Sequence, residues 1–198
     1  MANTIDKLLK SNRIEGQTFE NESFQNILLM SKIFEDCEFI NCEFQEVDFA
    51  DSRLAECNFG QSKLTMANLA GCKVQDVSFS ESKIVGVDFS TVNPLLLGMI
   101  FDSCTLQSSN FSHMTLENTE FHKSKLIECS FAESDLTGTP FLECDLDGSV
   151  FNNTNLTNAD FSGAINYWID PKANKLDNAQ FTLPDAIRLL ETMGIQVK

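Results

Sequence analysis

The sequence predicts an all-β solenoid, a parallel β-helix that ends in a short α-helix. Three observations predict it. An apolar residue recurs at every fifth position over most of the chain, and a mostly small residue stands two positions before it, less regularly in the first coil, where Gln17, Glu22 and Lys32 take the place. After Phe161 the rhythm stops and a helical pattern follows.

The apolar series starts at Phe19 and runs in steps of five through Phe24, Leu29, Phe34 and onward to Phe89; it resumes at Phe101 and continues to Phe161. All 28 positions are Phe, Leu, Ile or Val, and 16 of the chain's 17 Phe lie on them. A period of five smears around an α-helix, because five steps of roughly 100° leave the stripe about 140° away from its start. In extended backbone, residues two apart share a side. The small residue and the large one therefore both face inward from one short straight segment, and the chain turns before the next. The Asn, Asp, Ser and Gly at the remaining positions supply turn chemistry. Stacked segments pair as in a parallel β-helix.

This small–(Asp/Asn)–Leu/Phe–x–x pattern resembles the motif of the pentapeptide repeat family over roughly residues 17–163. The resemblance implies a right-handed quadrilateral β-helix with four pentapeptides per coil. The repeats would then form about seven coils on the order of 34 Å long. The chain accordingly divides into an N-terminal arm or cap (1–16), the β-helix (17–163, with a small insertion near 90–100) and a C-terminal cap and dimerisation segment (164–198). All seven cysteines, Cys37, Cys42, Cys57, Cys72, Cys104, Cys129 and Cys144, fall in the small inward series. That placement points to small buried core residues rather than to metal ligands or disulfides.

Between Phe89 and Phe101 the step is two pentapeptides plus two residues, and Asn93-Pro94 marks a turn there. The segment is either a tolerated insertion or a contact loop. After Phe161, Leu183, Ile187, Leu190 and Met193 recur at helical spacing. Thr182 stands as a possible N-cap and Gly194 beyond the end, which predicts a helix over 183–193. A β-helix end is an open edge that needs a cap. Part of this apolar material covers the last coil; Phe181, Ile195 and Val197 add more than one cap requires, and the surplus suggests a two-fold, tail-to-tail homodimer with Phe181, Leu183, Ile187, Leu190, Met193 and Ile195 as the candidate interface.

Fourteen Lys and Arg against 29 Asp and Glu give a net charge of -15. Such a chain repels nucleic acid and anionic membranes and attracts a basic protein surface. The same charge also serves plain solubility. No apolar run approaches the roughly 20 residues of a membrane helix. Met1 to Arg13 lacks the apolar core of a secretory signal, which leaves the cytoplasm as the expected address. No Walker loop, dinucleotide fingerprint, HExxH or CxxC pair is present, and His113 and His122 take outward positions. The sequence therefore suggests neither catalytic residues nor a metal or cofactor. With 20 residues per coil, Asp36, Glu56 and Asp76 stack on one side, with Glu38, Glu120 and Asp160 near it. Arg53 with Lys73, and Lys63 with Lys83, fall on the neighbouring sides. This acidic side is the candidate partner-binding face.

The tail sharpens the reading. Ile165-Asn166-Tyr167-Trp168-Ile169-Asp170, Ala179-Gln180-Phe181-Thr182-Leu183-Pro184-Asp185-Ala186, Leu189-Leu190 and Gly194-Ile195 resemble the C-terminal end of albicidin-resistance and Qnr-type pentapeptide proteins. Microcin-immunity proteins are similar. That resemblance implies a homodimer that mimics duplex DNA and binds type II topoisomerases, DNA gyrase or topoisomerase IV, protecting them from quinolones or peptide toxins. This chain lacks the long loop insertions of the Qnr pattern. The alternatives are a structural or scaffolding repeat protein with another protein partner, and an enzyme whose site the sequence hides.

Overall fold

Each five-residue unit becomes one side of a four-sided coil, and each coil lays its backbone on the one before it. The computed structural model describes residues 8–197; the first seven residues of the expected N-terminal arm lie outside the described residues. The result is a right-handed parallel β-solenoid of about eight turns with little helix. Its first face begins with the paired strands Arg13–Glu15, Ile33–Glu35, Arg53–Ala55 and Lys73–Gln75. Its second face is a seven-stranded sheet from Thr18–Glu20 to Phe141–Leu142, extended by Asp160–Phe161 and Gln180–Phe181. The third face is a six-stranded sheet from Ser23–Gln25 to Lys125–Ile127. On the fourth face the ladder is reduced to single bridges, such as Leu28–Asp48–Asn68 and Asp88–Asn110–Ser130–Val150.

At four positions of the fourth face, though not at Leu28, Ser130 or Val150, an Asx turn stands before the central apolar residue. Asp48, Asn68, Asp88 and Asn110 each accept, on the side-chain oxygen, the N–H two residues ahead, at Ala50, Ala70, Ser90 and Ser112. This Asx turn bends the backbone before a three-residue strand can form. Where Lys, Arg or Glu takes the position, as at Lys63, Arg53 and Glu43, the strand persists.

The interior is a set of ring columns. Phe39 stacks on Phe59 at 4.7 Å, and Phe101 on Phe121 at 5.1 Å and 5°. Rings of the fourth face meet those of the second edge-on, as Phe111 meets Phe121 at 5.8 Å and 90°. Both arrangements are favoured by the ring quadrupole. The small inward row has its own bonding rule. Ser62 and Ser82 donate to the carbonyls of Phe39 and Phe59 in the preceding coil. Cys42 and Cys104 donate in the same way to Phe19 and Phe79. Cys and Ser are interchangeable here because each offers one small donor. All seven thiols are free and buried, and burial pushes Cys129 up to about 11 and Cys144 to about 12.

The ladder starts at Arg13–Glu15, within the segment expected as an arm, and its last pair, Gln180–Phe181, lies within the expected cap. Ile14 and Leu176 thus join the apolar series at either end. At the N-terminal end Leu8 is buried over the first coil, and the Lys32 ammonium, itself buried, donates to the carbonyls of Leu9 and Ser11. The C-terminal helix is shorter than its pattern, Ile187–Thr192. Thr182 does not cap it. Its hydroxyl accepts the Gly163 N–H of the last coil at 2.9 Å, so a tertiary bond takes the group a helix would have used. The helix ends as expected: Gly194 is left-handed (φ 80), its N–H reaches the Glu191 carbonyl, and that of Ile195 reaches Leu190. This is a Schellman closure.

Candidate protein-interaction surfaces

Most corners of the coil hold a residue in the left-handed region, which favours Gly, Asn and Asp. Many corners comply, but Glu46, Glu56, Glu81, Glu128, Glu133 and Glu143 also occupy them, with φ between 50° and 58°. Glutamate gains none of the local bonding that suits Asn or Asp to this conformation. Gln61, Met66 and Lys123 take the same conformation, so these corners accept long side chains whatever their charge, and the six glutamates add negative charge to the rod's edges.

Registers place the expected acidic residues as follows. Asp36, Glu56 and Asp76 occupy successive corners between the first and second faces, all left-handed and exposed. Glu38, Glu120 and Asp160 share one row of the second face, Thr18–Glu38–Asn58–Ser78–Ile100–Glu120, which continues through Pro140 to Asp160. They are not adjacent: Asn58, Ser78 and Ile100 separate Glu38 from Glu120. Glu38 accepts from Thr18, Glu120 meets His122 at 2.8 Å, and Asp160 is half-buried and accepts the Ser162 N–H. Sequence reasoning missed Glu20, Glu81, Asp102 and Glu143, which lie on the same face or on its edge toward the third face. Spacing by 20 from each acidic residue, with the two-residue insertion allowed for, would have found them. The second face and its two edges thus carry ten acidic side chains and one basic one, Lys123. The cations gather on the flanking faces, where Arg53 pairs with Lys73 and Lys63 with Lys83 in register. Lys63 also bonds Glu43 at 2.9 Å.

The second candidate surface is the C-terminal end. Leu183, Leu190, Met193 and Ile195 are exposed, Leu183 by 78%. Ile187 and Phe181 are half-buried. The Phe181 ring stacks on Phe161 at 4.9 Å and 4°, so it completes the rod's own ring column. Leu189 packs on the core, and Thr192 donates to the Ile169 carbonyl, which seats the helix on the last coil. Beneath it Tyr167 is fully buried, and its hydroxyl has no hydrogen-bond partner among the described residues. Burial, then the nearby Asp185 charge, push its phenol up to about 12.

Among the described residues no cluster of His, Cys, Asp and Glu is arranged to hold a metal ion, and no helix is long and apolar enough to cross a membrane. The fold and these surfaces define a four-sided parallel β-solenoid with an acidic flank and an apolar end. The family model for the pentapeptide repeat region matches residues 32–94 and 104–181, and the chain belongs to that family. Among solved structures it is similar to HetL, a pentapeptide repeat protein involved in heterocyst differentiation regulation from the cyanobacterium Nostoc. The identity is 15%, 85% of this chain and 84% of that one are covered, and the TM-score is 0.54. It is also similar to QnrB1, a plasmid-mediated fluoroquinolone resistance protein, at 19% identity over 92% of this chain and 90% of that one, with a TM-score of 0.47. At these identities the likeness bears on the fold alone. No curated protein matches the sequence.

Proposed function

We propose that this chain is a homodimeric mimic of duplex DNA that binds a type II topoisomerase, DNA gyrase or topoisomerase IV, and modulates it or protects it from quinolones or peptide toxins. It acts as a binding protein without chemistry of its own. The observation that carries the reading is the second face, where ten carboxylates and a single lysine line one flank of a straight rod. A charge of -15 along about 38 Å, eight steps of roughly 4.8 Å, is one net charge per ~2.5 Å; duplex DNA carries one per ~1.7 Å. A basic groove shaped for a duplex meets a comparable charge density here. The resemblance of the tail to topoisomerase-protecting proteins, and the apolar residues left exposed at that end, support the dimer.

Supercoiling of relaxed plasmid by purified gyrase, with and without a quinolone or peptide toxin, tests the proposal. Micromolar protein should inhibit supercoiling or relieve the poison. Changing Glu38, Asp102 and Glu120 to their amides should weaken the effect, because the attraction is electrostatic. Absence of both binding and any change in supercoiling would remove the topoisomerase from the picture. The scaffolding alternative draws on Leu95 and Leu96, exposed by 63% and 66% on the insertion loop; a pull-down that recovers another partner through that loop would favour it.

A further inference from the structure

The last coil is cut short at one corner. Along the fourth face successive coils pair at an interval of 20 residues, or 22 across the insertion, as Ser130 pairs with Val150, but Phe151 pairs with Ile169, only 18 residues on. The two missing residues belong to the corner between the third and fourth faces. In that corner row each earlier member, from Asn26 to Glu128, donates its backbone N–H to a carbonyl of the coil above. Gly148 is the next in the row, and its N–H has no acceptor among the described residues.

The shortcut leaves a shelf of about 420 Å³ lined by Gly148, Val150, Asn152, Trp168, Asp170 and Ala173. Trp168, the chain's only tryptophan, is 60% exposed there, and Val150 beside it is 49% exposed. The one charged residue that lines the shelf is Asp170; the Glu128 side chain packs beneath Gly148, with Cγ 3.2 Å from where a Cβ would stand, and its carboxylate accepts from Ser108 in the preceding coil. Lys172 is the nearest cation in sequence, and its backbone N–H, not its ammonium, engages Asp170.

We propose that this shelf docks an extended, arginine-bearing segment of a partner protein in the place of the missing corner. The Gly148 N–H receives a backbone carbonyl of the segment, continuing the ladder by strand addition. An arginine of the segment lies on the exposed indole face, where a guanidinium is held by cation–π attraction, and Asp170 neutralises it. The Asp170 carboxylate, an open aromatic face and a free N–H donor together select a cationic extended peptide over an anionic or purely apolar one. The site is independent of the identity of the partner that the second face engages.

Because Trp168 is the only tryptophan, its emission reports the shelf directly. Titrating the full chain with acetyl-Arg-Leu-Arg-amide should give a saturable change in emission, and acetyl-Glu-Leu-Glu-amide should give none. Asp170→Asn keeps the acceptor for the Lys172 N–H and should weaken the arginine peptide about threefold to tenfold. No response to the arginine peptide up to about 1 mM, equal responses to both peptides, or unchanged affinity in D170N would each overturn the site. Emission that shifts with protein concentration alone would also overturn it, by assigning the shelf to a second copy. A chain that takes the peptide yet leaves topoisomerases untouched keeps this site and loses the function proposed above; the reverse result separates them the other way.

Discussion

Phe79 and Phe101 are two residues further apart in sequence than one coil, yet their rings stack at 5.0 Å and 6°, between the 4.7 Å of Phe39–Phe59 and the 5.1 Å of Phe101–Phe121 in the same column. The strands Val77–Ser80 and Met99–Asp102 pair in full register across the same gap. The insertion is therefore absorbed entirely outside the rod. Asn93 accepts the Leu95 N–H, Leu96 turns through a left-handed φ of 59°, and Leu97 returns to the interior.

Deleting Leu95 and Leu96 should consequently leave the rod intact, with a stability change within about 1 kcal/mol, as expected for surface changes. Phe101→Ala removes a ring held between Phe79 and Phe121 and should cost about 3–5 kcal/mol. Chemical denaturation of the two variants checks both. A deletion as damaging as the ring truncation would mean that the loop supports the column.

Lys32 occupies a small-residue position, but its ammonium reaches Ser11 at 2.7 Å and Leu9 at 3.2 Å. These carbonyls follow or belong to the short helical stretch at residues 8–10 that covers the open first coil. Lys32→Met preserves the stem and removes the charged donor. The expected loss is about 1–3 kcal/mol, the usual contribution of hydrogen bonds from a charged group. Hydrogen exchange should show the loss concentrated near residues 8–15. Uniform exchange along the rod would instead point to a core packing role for Lys32.

The fold was legible because a period of five admits few structures, and Phe or Leu at each step fixes which side faces in. The cysteines were legible for the same reason, since a thiol and a hydroxyl serve one small inward position equally. Ile14 and Leu176 were harder to see. Leu176 stands in step with Phe161, but the two steps between them fall on Asn166 and Pro171, so the apolar series looks finished; Ile14 lies one step before Phe19, in a stretch where Gln17 and Glu22 replace the small residues. The start of the C-terminal helix was hidden because the competing bond from Gly163 to Thr182 is tertiary. The acidic face was legible only in part. Its charges are plain in the sequence, but Asp102 and Glu143 join it only when coils are aligned across the insertion, and Glu20 and Glu81 only when both strand edges of the face are counted.

Tyr167 provides a test with an unusual sign. Its buried hydroxyl has no partner among the described residues, so Tyr167→Phe removes an unsatisfied group without opening a cavity and should be neutral or stabilising by up to about 1 kcal/mol. The phenol sits at about 12 in the fold against an ordinary value of 10. The folded state thus holds its proton where the unfolded chain has lost it. The contribution is whole below the unfolded value of 10 and is lost as pH rises from there through about 12. As the chain's only tyrosine, its ionisation can be followed by absorbance near the phenolate band. Wild type should lose stability in this alkaline window and the Phe variant should not lose this part of it. Phenolate appearing near pH 10 in the folded protein would show that the ring is open to solvent.

The apolar end makes the sharpest demand on the assembly. Leu190 and Met193 are each 40% exposed on the C-terminal helix, while Leu189 and Thr192 hold that helix to the rod. Glutamate at positions 190 and 193 therefore meets no core residue and leaves the seat of the helix in place. If this end joins two copies, the double substitution puts four buried carboxylates in the interface, each costly to desolvate. Light scattering should then fall from twice the chain mass to the 22.1 kDa of a single chain, with circular dichroism unchanged. A dimer that survives with its mass intact would locate the contact on another surface, and a wild type already at single-chain mass would remove the dimer.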